Sequence, residues 1–118
     1  MVEYGKETEV RKKIEQFQST GALYRHPFPE FYYTEGVKYA LKELFRRQGL
    51  LSDIAREIFH LPENNFVLIK ICASHVEFSN RNGNVLQVKE TKNSIPLIPG
   101  TSLCLYWIGR TLLLPTEY

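Results

Sequence analysis

Histidine and cysteine are the side chains in this sequence best suited to chemistry, and their spacing argues against a catalytic or metal centre. His26, His60 and His75 are far apart in the chain. They lack the i, i+4 pairing that sets two imidazoles on one helix face to hold zinc. Cys72 and Cys104 both sit in strand-like apolar runs and are expected as buried, reduced thiols rather than a disulfide. Two thiols without paired ligands nearby do not complete a tetrahedral zinc site. Nucleophilic catalysis needs a serine or cysteine, a histidine and an acid together, and no Gly-x-Ser-x-Gly elbow marks one. No glycine-rich loop joins a strand to a helix to cradle phosphate. The expectation is no catalytic residue, no cofactor and no metal.

Binding chemistry is better represented. The stretch from Ala22 to Tyr33 carries Tyr24, Arg25, His26, Phe28, Phe31, Tyr32 and Tyr33. Rings with polar or cationic tips dominate protein interfaces and also stack on single-stranded nucleic acid. Most of these rings are expected to cap the core, leaving Arg25 and Tyr32 as the contact candidates. Lys38, Lys42 and Arg46 fall four apart, with Arg47 beside them. Such a stripe can follow a phosphate backbone or meet an acidic protein surface, and Arg11-Lys12-Lys13 could join it. Glu35 and Glu43 dilute it, which also suits a plain solvated helix face. Tyr106 and Trp107 are neighbours on one strand, so alternation turns one ring outward. An exposed Trp107 would complete the partner-binding set. Glu117 and Tyr118 end the chain, where Tyr118 is expected to fold back onto its own sheet.

The elements that would position these groups follow from periodicity. Thr8 caps a first helix to Gln18, with Val10, Ile14 and Phe17 in a narrow stripe. Pro27 and Pro29 forbid a regular helix, so an irregular connection is expected over the core. Thr34 caps a second helix, Glu35 to Gln48, with Val37, Ala40, Leu41 and Leu44 inside. A third runs from about Leu50 to His60 and buries Leu51, Ile54, Ala55 and Ile58. From Phe66 the pattern turns to strands: Phe66 to Cys72, Ser74 to Ser79, Asn84 to Glu90 across an Asn80–Gly83 hairpin, and Thr101 to Ile108. Lys92 to Gly100 reads as a loop. Gly109-Arg110 makes a turn with glycine first, Thr111 to Leu114 follows, and Pro115 favours an edge position. Helices first and strands after predict an α+β fold. Two to three N-terminal helices would pack on one face of a four- to five-stranded antiparallel sheet.

The chain has 118 residues, 43% hydrophobic and 24% charged, which fits a single domain over 1–118 with a loose tail at 1–6. A net charge of +2 does not demand a polyanionic partner. The longest apolar runs are far shorter than the roughly 20 residues of a membrane span, and no secretory leader or lipidation motif stands at the ends. A cytoplasmic protein is expected by default.

Four stretches carry a resemblance. Tyr24-Arg25-His26, Tyr33-Thr34-Glu35-Gly36-Val37-Lys38-Tyr39, Gly83-Asn84-Val85-Leu86 and Leu112-Leu113-Leu114-Pro115-Thr116-Glu117-Tyr118 are similar to an uncharacterised family of short bacterial proteins seen in cyanobacteria and on mobile elements. The match runs from about the first helix onward and is weaker between Gln48 and Asn65. It implies a small bacterial, intracellular protein with no assigned reaction or ligand. The functional expectation is a non-enzymatic protein that binds another protein, itself included, in an accessory or inhibitory role. The alternative is a nucleic-acid-binding accessory protein using the basic helix face and the aromatic loop, and the third reading is a small enzyme around His26 and Tyr33.

Overall fold

In the computed structural model, the residues described are 4–16, 18, 21–27, 29–45, 49–62, 64–90 and 101–118. The elements run α1 (Tyr4–Glu15), β1 (Leu23–His26), β2 (Phe31–Thr34), α2 (Glu35–Ala40), a π-helical turn (Leu41–Phe45) and α3 (Gly49–Phe59). There follow β3 (Phe66–Cys72), β4 (His75–Ser79), β5 (Val85–Glu90), β6 (Ser102–Ile108), β7 (Thr111–Leu113) and a 3-10 turn (Pro115–Glu117). The α+β class holds, but in place of the expected four- to five-stranded antiparallel sheet the described residues form seven strands in the order β1-β2-β7-β6-β3-β4-β5, mixed because β2 and β7 are parallel.

The helices cover one side. Alternation along β3, β4 and β6 sends Val67, Ile69, Ile71, Val76, Phe78, Leu103, Leu105 and Trp107 inward. There they meet Val10 and Ile14 of α1, Val37 and Ala40 of α2, and Leu50, Leu51, Ile54, Ala55 and Ile58 of α3 in one core. At about 25 cal/mol per Å² of apolar surface, a fully buried side chain of this size contributes roughly 1.5–3 kcal/mol.

Several expectations are corrected. The segment holding Pro27 and Pro29 is a β-hairpin: Leu23 pairs with Thr34 and His26 with Phe31, and both prolines lie between the strands. Four-residue strands are too short to show alternation against so many rings. α1 begins at Tyr4, so Thr8 is inside the helix and the expected loose stretch at 1–6 is helical from Tyr4. The second helix changes to wider π hydrogen bonding after Ala40; an apolar stripe of average period 3.6 does not register one such turn. Gly49 opens α3 rather than only breaking its predecessor. β7 lies between β2 and β6, not at an edge. Pro115, expected to stop an edge strand, instead starts the 3-10 turn that follows. Both Gly109 and Arg110 have positive φ, 55° and 64°, so the turn is the type I′ form that matches strand twist. Phe17, Phe28, Arg46, Arg47 and the expected 92–100 loop lie outside the described residues.

Candidate interaction surface

Cross-strand partners point to the same side of a sheet, so the register maps the side away from the helices. One row runs Arg25, Tyr32, Thr111, Ile108, Phe66 across β1, β2, β7, β6 and β3. The next runs Leu113, Tyr106, Leu68, Ser79, Val85, and a third Cys104, Lys70, Glu77, Val88. A bulge between Phe78 and Ser79 sets both Val85 and Val88 on this side. Val85 is 56% and Val88 48% exposed.

Rings gather at the centre. Phe66 and Tyr106 lie 5.7 Å apart, and Tyr118 meets both edge-on at 6.5 and 5.7 Å while remaining 75% exposed. The tail thus returns onto its own sheet, as expected. The Arg81 guanidinium sits 4.6 Å from the Phe66 centroid. Between Pro115 and Gly83 runs an open groove of about 460 Å³, lined by Leu68, Lys70, Glu77, Ser79, Cys104 and Tyr106. Cys104 is exposed and Cys72 half-buried, both free. Burial raises the Cys72 thiol above its usual pKa, with the nearby Glu77 and Cys104 adding to it and Lys70 opposing.

The expected site residues divide between the two sides. Arg25 and Tyr32 stand on the open face. Arg25 donates to Glu30 at 2.8 Å; this hydrogen bond first, and the guanidinium charge second, hold the Glu30 carboxyl below the usual carboxylate range. The same contact raises Arg25 further. Lys38 lies on the helix side, its Nζ 4.1 Å from the centroid of Tyr24, and Lys42 is exposed. The stripe does not extend as a unit into α1: Arg11 donates to the Ser102 carbonyl at 2.8 Å, and Lys13 stands over the Tyr39 ring. Trp107, expected at the surface as a contact residue, is 1% exposed and lies in the core instead. Its ring fills the core between Phe31 and Phe59, and its Nε1 donates to the Asn64 carbonyl. Of the Tyr106-Trp107 pair, Tyr106 is the outward ring.

His26 is held on three sides. Its Nδ1 lies 3.0 Å from the Pro29 carbonyl, its Nε2 2.8 Å from Ser52 Oγ, and its ring stacks on Phe31 at 4.7 Å. A carbonyl accepts only, so Nδ1 donates to it, while Nε2 and Ser52 Oγ share the second hydrogen bond. The contacts tie the β1–β2 hairpin to α3. Among the described residues no three His, Cys, Asp or Glu side chains are grouped to hold a metal. No helix among them is long and apolar enough to cross a membrane.

Two of the four stretches that carried the resemblance, 33–39 and 112–118, meet in a buried clasp. Because β2 and β7 are parallel, the segments that follow them, α2 and the 3-10 turn, begin at the same end of the sheet. Glu117 spans both starts. Its Oε1 accepts from Thr34 Oγ1 at 2.6 Å and from the Leu114 amide at 3.0 Å, and its Oε2 from the Gly36 amide at 3.2 Å. Thr34 Oγ1 in turn accepts from the Val37 amide. A carboxylate beside amides that lack intrahelical acceptors is stabilising. Gly36 makes room: a Cβ there would stand 2.5 Å from Glu117 Oε1 and 2.6 Å from Leu114 Cδ1. Thr34, Gly36, Leu114 and Glu117 are therefore structural, whereas Arg25, Val85 and Tyr118 of the same stretches stand on the open face.

Alternation in the sequence groups Phe66, Leu68 and Lys70 on one face, but only the packing of α1, α2 and α3 on the other side leaves that face without a helix among the described residues. No curated protein and no solved structure matches the chain. Its residues 8–118 match a family of unknown function, DUF6876, and the chain belongs to that family.

Proposed function

We propose that this chain is a non-enzymatic binding protein that docks a partner protein on the open face of its sheet. The observation that carries this reading is the helix-free face of half-buried Phe66, Leu68 and Tyr106, with Tyr118 laid against the two rings and still exposed, bordered by the exposed Val85 and Val88. Aromatic and arginine side chains around a groove are the usual anchors of protein interfaces. Charge on this face is mixed, with Lys70 across from Glu77, Glu77 3.5 Å from His75, and Arg25 bound to Glu30. That mixture suits a protein surface better than a polyanion. The basic helix side chains support a nucleic-acid partner less, because Lys38 and Lys13 lie over tyrosines and Arg11 is bound to Ser102.

The test compares variants of the two sides in one binding assay from the native host. Leu68→Glu and Tyr106→Glu are expected to abolish capture of the partner, while Lys38→Glu and Lys42→Glu retain it. The reverse pattern, with binding that falls steeply as salt rises, would replace this reading with the nucleic-acid one. Unchanged capture by all four would remove the open face as the site.

A further inference from the structure

Resting on that binding reading, we infer that the partner is a second copy of this chain, docked face to face through the open side of the sheet. The two-fold axis runs parallel to the strands, midway between β3 and β4.

The inference comes from the register. An axis along the strands keeps each cross-strand row in place and reverses its order, so β3 lies over the partner's β4 and β6 over its β5. In the charged row, Lys70 is directly opposite Glu77. The operation sets Lys70 on the partner's Glu77 and Glu77 on the partner's Lys70, two opposite-charge contacts where an uncomplementary face would make two repulsions. In the same row Cys104 meets the partner's Val88. One row over, Tyr106 meets the partner's Val85 and Leu68 the partner's Ser79.

Two of these matches cover exposed hydrophobic side chains. Val85 and Val88 are two of the four large hydrophobic side chains left exposed among the described residues. Their alignment with Tyr106 and Cys104 covers both. A two-fold interface must be self-complementary, with residue i on j and j on i, and these rows satisfy that condition in charge and in polarity. Two twisted sheets packed this way stand about 10 Å apart with strands within about 30° of each other. The groove at Leu68, Lys70 and Tyr106 supplies depth for the partner's side chains.

The experiment is a charge exchange followed by sedimentation velocity and light scattering. The wild-type protein is expected to double its mass with rising concentration and to slow alkylation of Cys104 in step. Lys70→Glu and Glu77→Lys, each checked for native Trp107 fluorescence, are expected to weaken self-association at least tenfold. Mixed one to one, they are expected to recover the doubled mass as a heterodimer, since each supplies the charge the other lacks. Val88→Lys is expected to remain monomeric. A wild-type monomer at every concentration, or a dimer indifferent to both charge reversals, would overturn the second-copy assignment. If a different protein then protects Cys104, the open-face reading stands without self-association. If nothing protects Cys104, both fall.

Discussion

Thr34 and Glu117 stand 83 positions apart in the chain and share a hydrogen bond of 2.6 Å inside the protein. Thr34 is 8% and Glu117 7% exposed. The threonine caps α2 with the same oxygen that donates to the carboxylate. One side chain near the chain's end therefore secures the start of a helix in its first third.

Removing the carboxylate leaves the Thr34 hydroxyl and the Leu114 and Gly36 amides without this acceptor. Each buried unpaired group costs about 1–3 kcal/mol, so Glu117→Ala is expected to lose about 3 kcal/mol or more. Thr34→Ala loses the cap and one donor, about 2 kcal/mol. The double variant is expected to fall short of the sum by about 1 kcal/mol, because both changes break one contact. Urea unfolding followed by Trp107 fluorescence measures all three. Additive losses would show that the two groups do not act together.

Gly36→Ala sets two effects against each other. Helix propensity favours alanine by about 0.8–1 kcal/mol. Against it stands a Cβ 2.5 Å from Glu117 Oε1 and 2.6 Å from Leu114 Cδ1, an overpacking that costs about 1–3 kcal/mol. Sterics are expected to win, lowering the urea midpoint. A higher midpoint would mean that the clasp yields readily.

The Arg25–Glu30 pair gives a pH signature without a stability signature. Its folded-state carboxyl titrates below the usual range, so any stabilisation is present above the ordinary carboxylate pKa and lost as pH falls through the lowered one. Both groups are exposed, where such pairs contribute little. A carboxyl NMR titration is expected to place the Glu30 midpoint low and to return it upward in Arg25→Ala, with the urea midpoint unchanged. An unmoved Glu30 midpoint in that variant would show that another group sets it.

The cysteines are expected to differ in reactivity. Thiolate is the reacting form, burial pushes the Cys72 pKa up, and Cys104 is exposed. Iodoacetamide at neutral pH, read by peptide mass spectrometry on dilute protein, is expected to modify Cys104 first. Cys72 should follow only at more alkaline pH. Equal rates would mean that the sheet opens faster than the reagent acts.

Local pattern carried much of the fold to the reader of the sequence. The inward residues of β3, β4 and β6, the buried face of α3 and the capping role of Thr34 follow from short-range rules: alternation, a 3.6 period and an oxygen placed before a helix. Arg25 and Tyr32 stand on the open face of the sheet. Phe66 and the two valines on the same face were legible as strand residues but not as surface, and alternation turned one ring of Tyr106 and Trp107 outward without saying which.

What the sequence determined by itself was which side chains share a side of each element, because backbone geometry repeats every two or every 3.6 residues. Tertiary structure alone decided which side is covered. The parallel meeting of β2 with β7 joins Thr34 to Glu117, moves β7 inside the sheet, and buries Trp107 between Phe31 and Phe59. These contacts join segments up to 83 positions apart, and no local periodicity encodes which distant strand will lie alongside.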